Sequence, residues 1–488
     1  MSKHRSMSSS GNHTPQSKLP KLPSPPYADP RLAAAVAITR AAAQFPNFAP
    51  NTLQTEGLSP LDASLATAIH RTTLQRWITL EYLLSRYLKQ PIAQIELSLR
   101  AVLLTGAAQI AFMSRIPPYA VVDSSVNLAR KLVRPKAAGL VNAVLRRLTE
   151  LVVSYDPELP WKPAPNALPL DRGTVVLAEP ILPDPIDLIH HLAIATSHPR
   201  RLPRRWIEQF GPREATRLCF HNTLSSPTIV LVEPDFDLTP YDQANNPLFV
   251  PHTLPGFLIW TGPHADMKTF LAGHPRRRVQ DPASVQALLT AKDLAVESAI
   301  DFCAGRGTKT RQLANLFPQA AITATEIDDT RRADLLEVAA QFENVTAMHP
   351  AELPRQEVDL LLLDVPCSNT GVLARRPEAR YRLTDQSLAD LTALQHEIIT
   401  ELFGHVRDGG YILYTTCSLE PEENQQQTRY IVETTGGQLI HETQILPSTL
   451  TQQTPLRTAF AKPGDWPVQP HQTSGYHDGS YHALIQIP

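Results

Sequence analysis

The chain has 488 residues, 42% of them hydrophobic, with 45 Lys and Arg against 47 Asp and Glu and a formal net charge of -2. That length allows about two to four domains with sizeable cores. The balanced charge excludes nucleic-acid binding through a global positive field, but a local basic face can still serve. There are 45 prolines against 20 glycines, so connectors should be stiffer than average. No stretch has signal-peptide character or bilayer-spanning length, so a cytoplasmic protein with no membrane partner is expected. The four cysteines, Cys219, Cys303, Cys367 and Cys417, form no C-x-x-C pair. Neither a metal site nor a disulfide framework is expected from them, and the chain is expected to act as a monomer.

Residues 1–29 are rich in Ser, Pro, Lys and His without apolar period and read as a disordered tail. From Pro30 to Val153 the pattern turns helical. Ser98–Met113 carries apolar residues three and four apart, Ile116-Pro117-Pro118 breaks the run, and Tyr119–Leu132 and Lys136–Leu148 read as two further helices. Arg115, Arg130, Lys131, Arg134, Lys136, Arg146 and Arg147 gather late in this all-α domain. On charge alone such residues are a solvated helix face, and a phosphate-contacting surface is the alternative.

Residues 154–185 are proline-rich and read as a linker. Residues 186–280 hold a short helical stretch around Trp206–Phe210 and apolar runs at Thr228–Val232 and Gly256–Trp260, the pattern of a small α+β module. His274-Pro-Arg-Arg-Arg278 is a second basic cluster with the same two readings. In residues 281–488 strand candidates at Ser298–Phe302, Ala321–Thr325, Val358–Leu363, Tyr411–Thr415 and Tyr481–Ile487 alternate with helical stretches at Lys309–Phe317, Arg331–Gln341, Ser387–Val406 and Pro421–Glu433. Such alternation predicts a parallel sheet covered by helices on both faces.

Asp301-Phe-Cys-Ala-Gly-Arg-Gly-Thr-Lys-Thr310 follows the first of these strands and opens a helix. Small residues at Ala304, Gly305 and Gly307 let a ligand approach the backbone, and ligands of open α/β sheets bind beyond the carboxyl ends of the strands. Glu326 closes the second strand, about 20 positions beyond the loop, where an acidic group can bind ribose hydroxyls. A P-loop needs Gly-Lys-Ser/Thr, whereas Thr308 precedes Lys309 here, and a dinucleotide loop needs a third glycine. A nucleoside cofactor without phosphates, S-adenosylmethionine, fits best. A tight turn without a ligand is the plainer alternative.

Two further strands each deliver a Cys-Ser pair to the same edge: Asp364-Val-Pro-Cys367-Ser368 and Thr416-Cys417-Ser418, the latter followed by Pro421-Glu-Glu-Asn424. Pro421 suits a first helical turn, which would place Cys417 just ahead of a helix dipole, while Glu420, Glu422 and Glu423 oppose a thiolate there. At these residues the chain resembles the RNA cytosine-5 methyltransferases of the Nol1, Nop2 and Sun family. Gln280-Asp281 and His477-Asp-Gly-Ser-Tyr-His-Ala483 are similar to further segments of that family. Arg115-Ile-Pro-Pro-Tyr-Ala120 and Gly139-Leu-Val-Asn-Ala-Val-Leu-Arg-Arg147 resemble the NusB-like domain of its bacterial ribosomal RNA branch, the RsmB type. The resemblance covers most of residues 30–488 and favours RNA contact by the basic helical face.

The resemblance implies a multidomain enzyme. A disordered tail (1–29) leads into an all-α NusB-like RNA-binding domain (30–153). A linker (154–185), a small α+β RNA-binding module (186–280) and a Rossmann-like α/β methyltransferase domain (281–488) follow. It implies S-adenosylmethionine as cofactor, held by Cys303, Ala304, Gly305, Arg306, Gly307, Thr308, Lys309, Glu326 and Asp364, and small-subunit (16S) ribosomal RNA as partner. Cys417 would attack carbon 6 of cytosine, Asp364 would bond ring nitrogen 3, and Cys367 would assist release. Three departures stand out: Arg306 where the family has proline, Thr308 where it has glycine, and Ala351 where relatives carry an Asp on the adenine side. They motivate an alternative, a catalytically impaired NusB-like RNA-binding protein.

Overall fold

The computed structural model describes residues 19–49, 53–237, 248–448 and 475–488. The chain divides into two compact units, residues 1–153 and 154–488.

The first unit contains α1 (Pro30–Gln44), α2 (Pro60–Gln75), α3 (Trp77–Ser85), α4 (Leu97–Phe112), α5 (Pro118–Leu128) and α6 (Ala137–Leu151). Proline at the first helical position starts α1, and the Asp29 side chain caps it by accepting from the Arg31 amide at 2.8 Å. The centre is α4, buried from Leu97 to Ala111 on every side. The spacing that marks it as amphipathic therefore understates its burial. Its polar residues are satisfied locally: the Thr105 hydroxyl donates to the Ala101 carbonyl (2.9 Å), and Arg100 pairs with Glu81. A π-helical turn, Ala129–Val133, extends α5. The seven basic residues named above are all exposed, and among the described residues only Arg134 forms an ion pair, with Glu96. Of the stretch expected as a tail, residues 1–18 lie outside the described residues. The rest corrects the boundary, because Leu22 and Tyr27 pack against Ala33, Val36 and Ala66. Two isolated apolar residues carry no period that a sequence pattern can register.

After α6 come β1 (Val152–Asp156), which crosses the division at residue 154, β2 (Ala167–Pro169) and β3 (Thr174–Leu177), ordered β1-β3-β2. The expected linker is thus a small sheet. Leu168, Val175 and Leu177 are buried, and Trp161 stacks on Phe220 with ring centres 5.8 Å apart. Strands this short leave no alternation to read among the prolines. Next come α7 (Leu188–Ala195) and α8 (Arg201–His221), which is kinked at Gly211 (φ 82°) ahead of Pro212. An antiparallel sheet follows, built from β4 (Thr228–Leu231), β5 (Phe249–Pro251), β6 (Phe257–Trp260) and β7 (Arg278–Val279) in the order β5-β6-β4-β7, with α9 (His264–Ala272) before β7.

The remainder is α10 (Pro282–Leu289), β8 (Ser298–Asp301), α11 (Thr308–Leu316), β9 (Ala321–Thr325), α12 (Asp329–Ala339), β10 (Val345–Met348), β11 (Val358–Asp364), α13 (Ala379–Arg382), α14 (Asp385–Leu402), β12 (Val406–Thr416), α15 (Gln425–Thr435), β13 (Gln438–Ile445) and β14 (Ser480–Gln486). The seven strands lie in the order β10-β9-β8-β11-β12-β14-β13. The first five are parallel, and β14 runs antiparallel to both neighbours, so the sheet is mixed rather than parallel throughout. Burial on both faces explains the unbroken leucine run of β11. Leu360 and Leu362 pack with Ala299, Ile322 and Leu413 under Leu313 and Phe317. Leu361 and Leu363 pack with Ile300, Ile412 and Tyr414 against Ile399 and Leu402 on the opposite face. β8 lies between β9 and β11, so the chain order reverses there. This switch point opens a crevice at the carboxyl ends of β8 and β11, where ligands of such sheets bind.

Candidate active site

The loop leaving β8 turns on two glycines of positive φ, Gly305 (59°) and Gly307 (82°). Gly307 has a second reason to be glycine: a Cβ there would lie 3.0 Å from the Val338 side chain. A Cβ on Gly305 would meet nothing within 4 Å, so the crest of the loop has free space beside it. The Ala304 amide donates to the Thr325 carbonyl (2.9 Å), tying the loop to the end of β9 beside Glu326. Glu326 is buried, and its Oε1 accepts from the Asp328 amide (2.8 Å) and from Arg331 (3.1 Å).

Asp301 is fully buried. One carboxylate oxygen accepts from the Thr310 hydroxyl (2.6 Å), the other finds no partner among the described residues, and burial pushes the group up to about 7. A buried carboxylate oxygen without a donor is costly and fits a cationic ligand. S-adenosylmethionine carries a sulfonium and an ammonium, and its ribose diol matches a carboxylate such as Glu326, so the residues present fit it. The departures do not obstruct the cradle. Arg306 points outward to an exposed ion pair with Asp334 on α12, and Thr308 is exposed at the first position of α11. Ala351 is exposed in a helical turn after β10, whose Glu352 side chain folds back to accept from the His349 amide (3.0 Å).

Lys309, also on the first turn of α11, reaches across to β11 and donates to Asp364 Oδ2 (2.6 Å). Burial pulls its ammonium down, but the Asp364 carboxylate more than offsets this and holds it above its usual range. Asp364 stands beside Thr415 in the register of β11 and β12, so both cysteine loops leave the sheet side by side. Their sulfurs, Cys367 Sγ and Cys417 Sγ, are 3.1 Å apart, and both thiols are free. The hydrogen bond to Cys417, with burial behind it, pushes the Cys367 thiol well above its ordinary value. Two thiolates at this separation cannot both ionise, so one sulfur can attack while the other keeps its proton. Cys303 is inert by comparison, because burial and then the neighbouring carboxylates raise it.

The two Cys-Ser pairs are held by further side chains. Asn369, at φ 62°, accepts from Cys417 through Oδ1 (3.3 Å) and donates to the Cys367 carbonyl (2.7 Å). Glu423 accepts from the hydroxyls of both Ser368 and Ser418 and from the Ser368 amide (2.8 Å), so one carboxylate ties the two loops together. The repeated Cys-Ser was the available clue to that link. From α8, Arg205 donates to Glu420 (2.6 Å) and Glu422 (2.6 Å), and Gln209 donates to the Leu419 carbonyl (3.0 Å). One expectation is corrected. The segment Pro421–Asn424 is a run of turns and α15 begins only at Gln425, so no helix dipole acts directly on Cys417. The buried Glu423 carboxylate holds that segment in turns instead. Among the described residues, no group of three or more His, Cys, Asp and Glu is arranged to hold a metal ion, and no helix is long and apolar enough to cross a membrane.

Residues 288–484 match the family described as 16S rRNA methyltransferase RsmB/F, and residues 31–150 match the NusB family. A "Ribosomal RNA small subunit methyltransferase B" of Klebsiella pneumoniae is 26% identical over 401 residues, covering 79% of this chain and 85% of that protein. A protein of the same description from Yersinia pseudotuberculosis is 27% identical over 393 residues, covering 76% and 82%. Among solved structures, PH0851 superposes with a TM-score of 0.64 at 18% identity, covering 95% of this chain and 100% of that one, a likeness of fold. Residues 288–484 thus carry a methyltransferase domain of the RsmB/F type, and residues 31–150, ahead of it in the sequence, a NusB-family helical domain.

Proposed function

We propose that this protein methylates carbon 5 of a cytosine in small-subunit ribosomal RNA, acting in the cytoplasm, with Cys417 as nucleophile. The observation that carries the reading is the pair of free sulfurs 3.1 Å apart, beside the Lys309–Asp364 pair and the cofactor loop. When bound, S-adenosylmethionine supplies an electrophilic methyl group.

The chain's own groups do the rest. Carbon 5 of cytosine is a poor nucleophile. The Cys417 thiolate adds to carbon 6, forming an S–C bond and moving the ring's double-bond electrons so that carbon 5 becomes nucleophilic. Asp364 passes a proton from Lys309, bonded to it at 2.6 Å, to ring nitrogen 3, where negative charge develops. Carbon 5 then carries both its hydrogen and the new methyl group. With Cys417 bound to the ring, Cys367 can lose its own proton to solvent; as a thiolate it takes the carbon 5 proton, whose bonding electrons re-form the ring double bond and expel Cys417 as a thiolate. The base must stand out of any helix to reach these groups.

An impaired RNA-binding protein is the weaker reading, because Arg306 turns away from the cradle and Lys309, Asp364, Cys367 and Cys417 stand together. The test is incubation with labelled S-adenosylmethionine and unmodified small-subunit ribosomal RNA, followed by nucleoside analysis. Label in 5-methylcytidine is expected. Cofactor binding without label in any RNA favours the impaired protein.

A further inference from the structure

The run Arg276-Arg277-Arg278, which leads from a turn into β7, divides in its side-chain partners. Arg277 turns inward: it pairs with Glu233 and lies over the rings of Phe236 (5.0 Å) and Phe270 (4.6 Å). Its neighbours face the other way, where Arg311 of α11 joins them. Arg278 donates to the Arg276 carbonyl (3.2 Å) and to Gln280 (2.6 Å). Arg311 donates to the Pro275 carbonyl (3.3 Å) and to Gln341 (2.8 Å). Two guanidiniums anchored on consecutive carbonyls are thereby held beside a third. None of the three forms an ion pair among the described residues, although two are only partly exposed. Burial, then Arg311 and Arg276, pushes Arg278 down to about 10, and burial lowers Arg311.

Clustered like charges without a carboxylate destabilise a fold unless an external anion completes them. Guanidiniums held by backbone carbonyls keep further N–H groups for a planar, bidentate acceptor, which is the geometry of phosphate. We propose that Arg276, Arg278 and Arg311 form a phosphate-binding site, at the seam of the small module and the methyltransferase domain, that grips the backbone of the RNA substrate. This rests on the RNA reading above and gives it a specific contact, with Arg311 added and Arg277 removed from the basic cluster.

The test uses the full chain with Arg276→Gln, Arg278→Gln and Arg311→Gln combined, and an unmodified small-subunit ribosomal RNA fragment titrated at several salt concentrations. For every RNA phosphate no longer gripped, the slope of log affinity against log salt should flatten by about 0.7. The variant should lose roughly one to two such units and about tenfold in affinity at moderate salt. S-adenosylmethionine binding should be unchanged, and thermal stability unchanged or raised, because repulsion is relieved. Inorganic phosphate should raise the melting temperature of the wild type and not of the variant. Equal slopes for wild type and variant overturn the site alone. A wild type that binds no RNA overturns the RNA reading and this site with it. If the triple variant unfolds, the exposed Arg276→Gln alone must still flatten the slope, and an unchanged slope overturns the proposal.

Discussion

Replacing Arg205 with Ala removes the cation that holds the turn after Cys417. Arg205 bridges Glu420, whose side chain is 0% exposed, and Glu422. Without it Glu420 keeps only the Trp206 indole N–H at 3.4 Å among the described residues. Removing one partner of a buried pair costs about 3–5 kcal/mol. The guanidinium is 26% exposed, so water can partly replace it and the low end applies, about 3 kcal/mol. That corresponds to a fall of about 4 °C in melting temperature for a unit of this size. Burial already raises Glu420 above its ordinary 4.5, with Arg205 opposing. A carboxyl raised in the folded state costs stability as pH climbs above its unfolded value, and losing Arg205 raises it further. The deficit should therefore be largest near pH 7 and shrink toward pH 5. Activity should fall about 100-fold, the scale for a displacement of about 1 Å at a reacting group. Differential scanning fluorimetry across pH and initial methylation rates measure both effects, and Arg205→Ala combined with Glu420→Gln should restore most of the stability. A single variant within about 0.5 kcal/mol of wild type at pH 7, with unchanged rate, would refute the reasoning.

Lys309→Met removes a charge-assisted bond to Asp364 and should lower kcat/KM by roughly 10- to 100-fold, measured by methyl incorporation. Gly307→Ala forces a Cβ against Val338 at a φ of 82° and should cost about 1–2 kcal/mol in thermal unfolding while weakening cofactor affinity by calorimetry. Arg306→Ala breaks only an exposed pair and should leave stability within about 0.5 kcal/mol and cofactor affinity unchanged; a large loss of affinity would place Arg306 in the cofactor site.

The buried strands were legible because double-sided burial leaves continuous apolar runs: β9 occupies the residues its run predicts, and β8, β11 and β14 fall within a residue or so. The loop at Asp301–Thr310 and both Cys-Ser pairs were legible as glycine placement and repetition at strand ends. Two strands of the same seven-stranded sheet were not. β10 is only four residues long, and β13 is an edge strand whose first five residues are exposed, so neither shows a run or an alternation. The supports of the site were hidden for a different reason. Arg205 lies 215 residues from Glu420, and nothing local distinguishes a guanidinium that orders a catalytic turn from one that faces solvent. The same holds for Arg277, which the sequence groups with its neighbours and which Glu233 and the rings of Phe236 and Phe270 set apart. The false helix start at Pro421 arose from a valid local preference overridden by Glu423, whose carboxylate is committed to two serines.

The most direct test of the covalent reading is denaturing electrophoresis of Cys417→Ala, Cys367→Ala and the double variant, each incubated with S-adenosylmethionine and unmodified small-subunit ribosomal RNA. Cys417→Ala should be inactive and leave RNA free. Cys367→Ala can still attack but resolves slowly, so it should accumulate a protein–RNA adduct that survives denaturation. The double variant should lose that adduct, because trapping requires the nucleophile. An adduct in Cys417→Ala and none in Cys367→Ala would reverse the assigned roles, and full activity in both single variants without any adduct would contradict covalent catalysis by this pair.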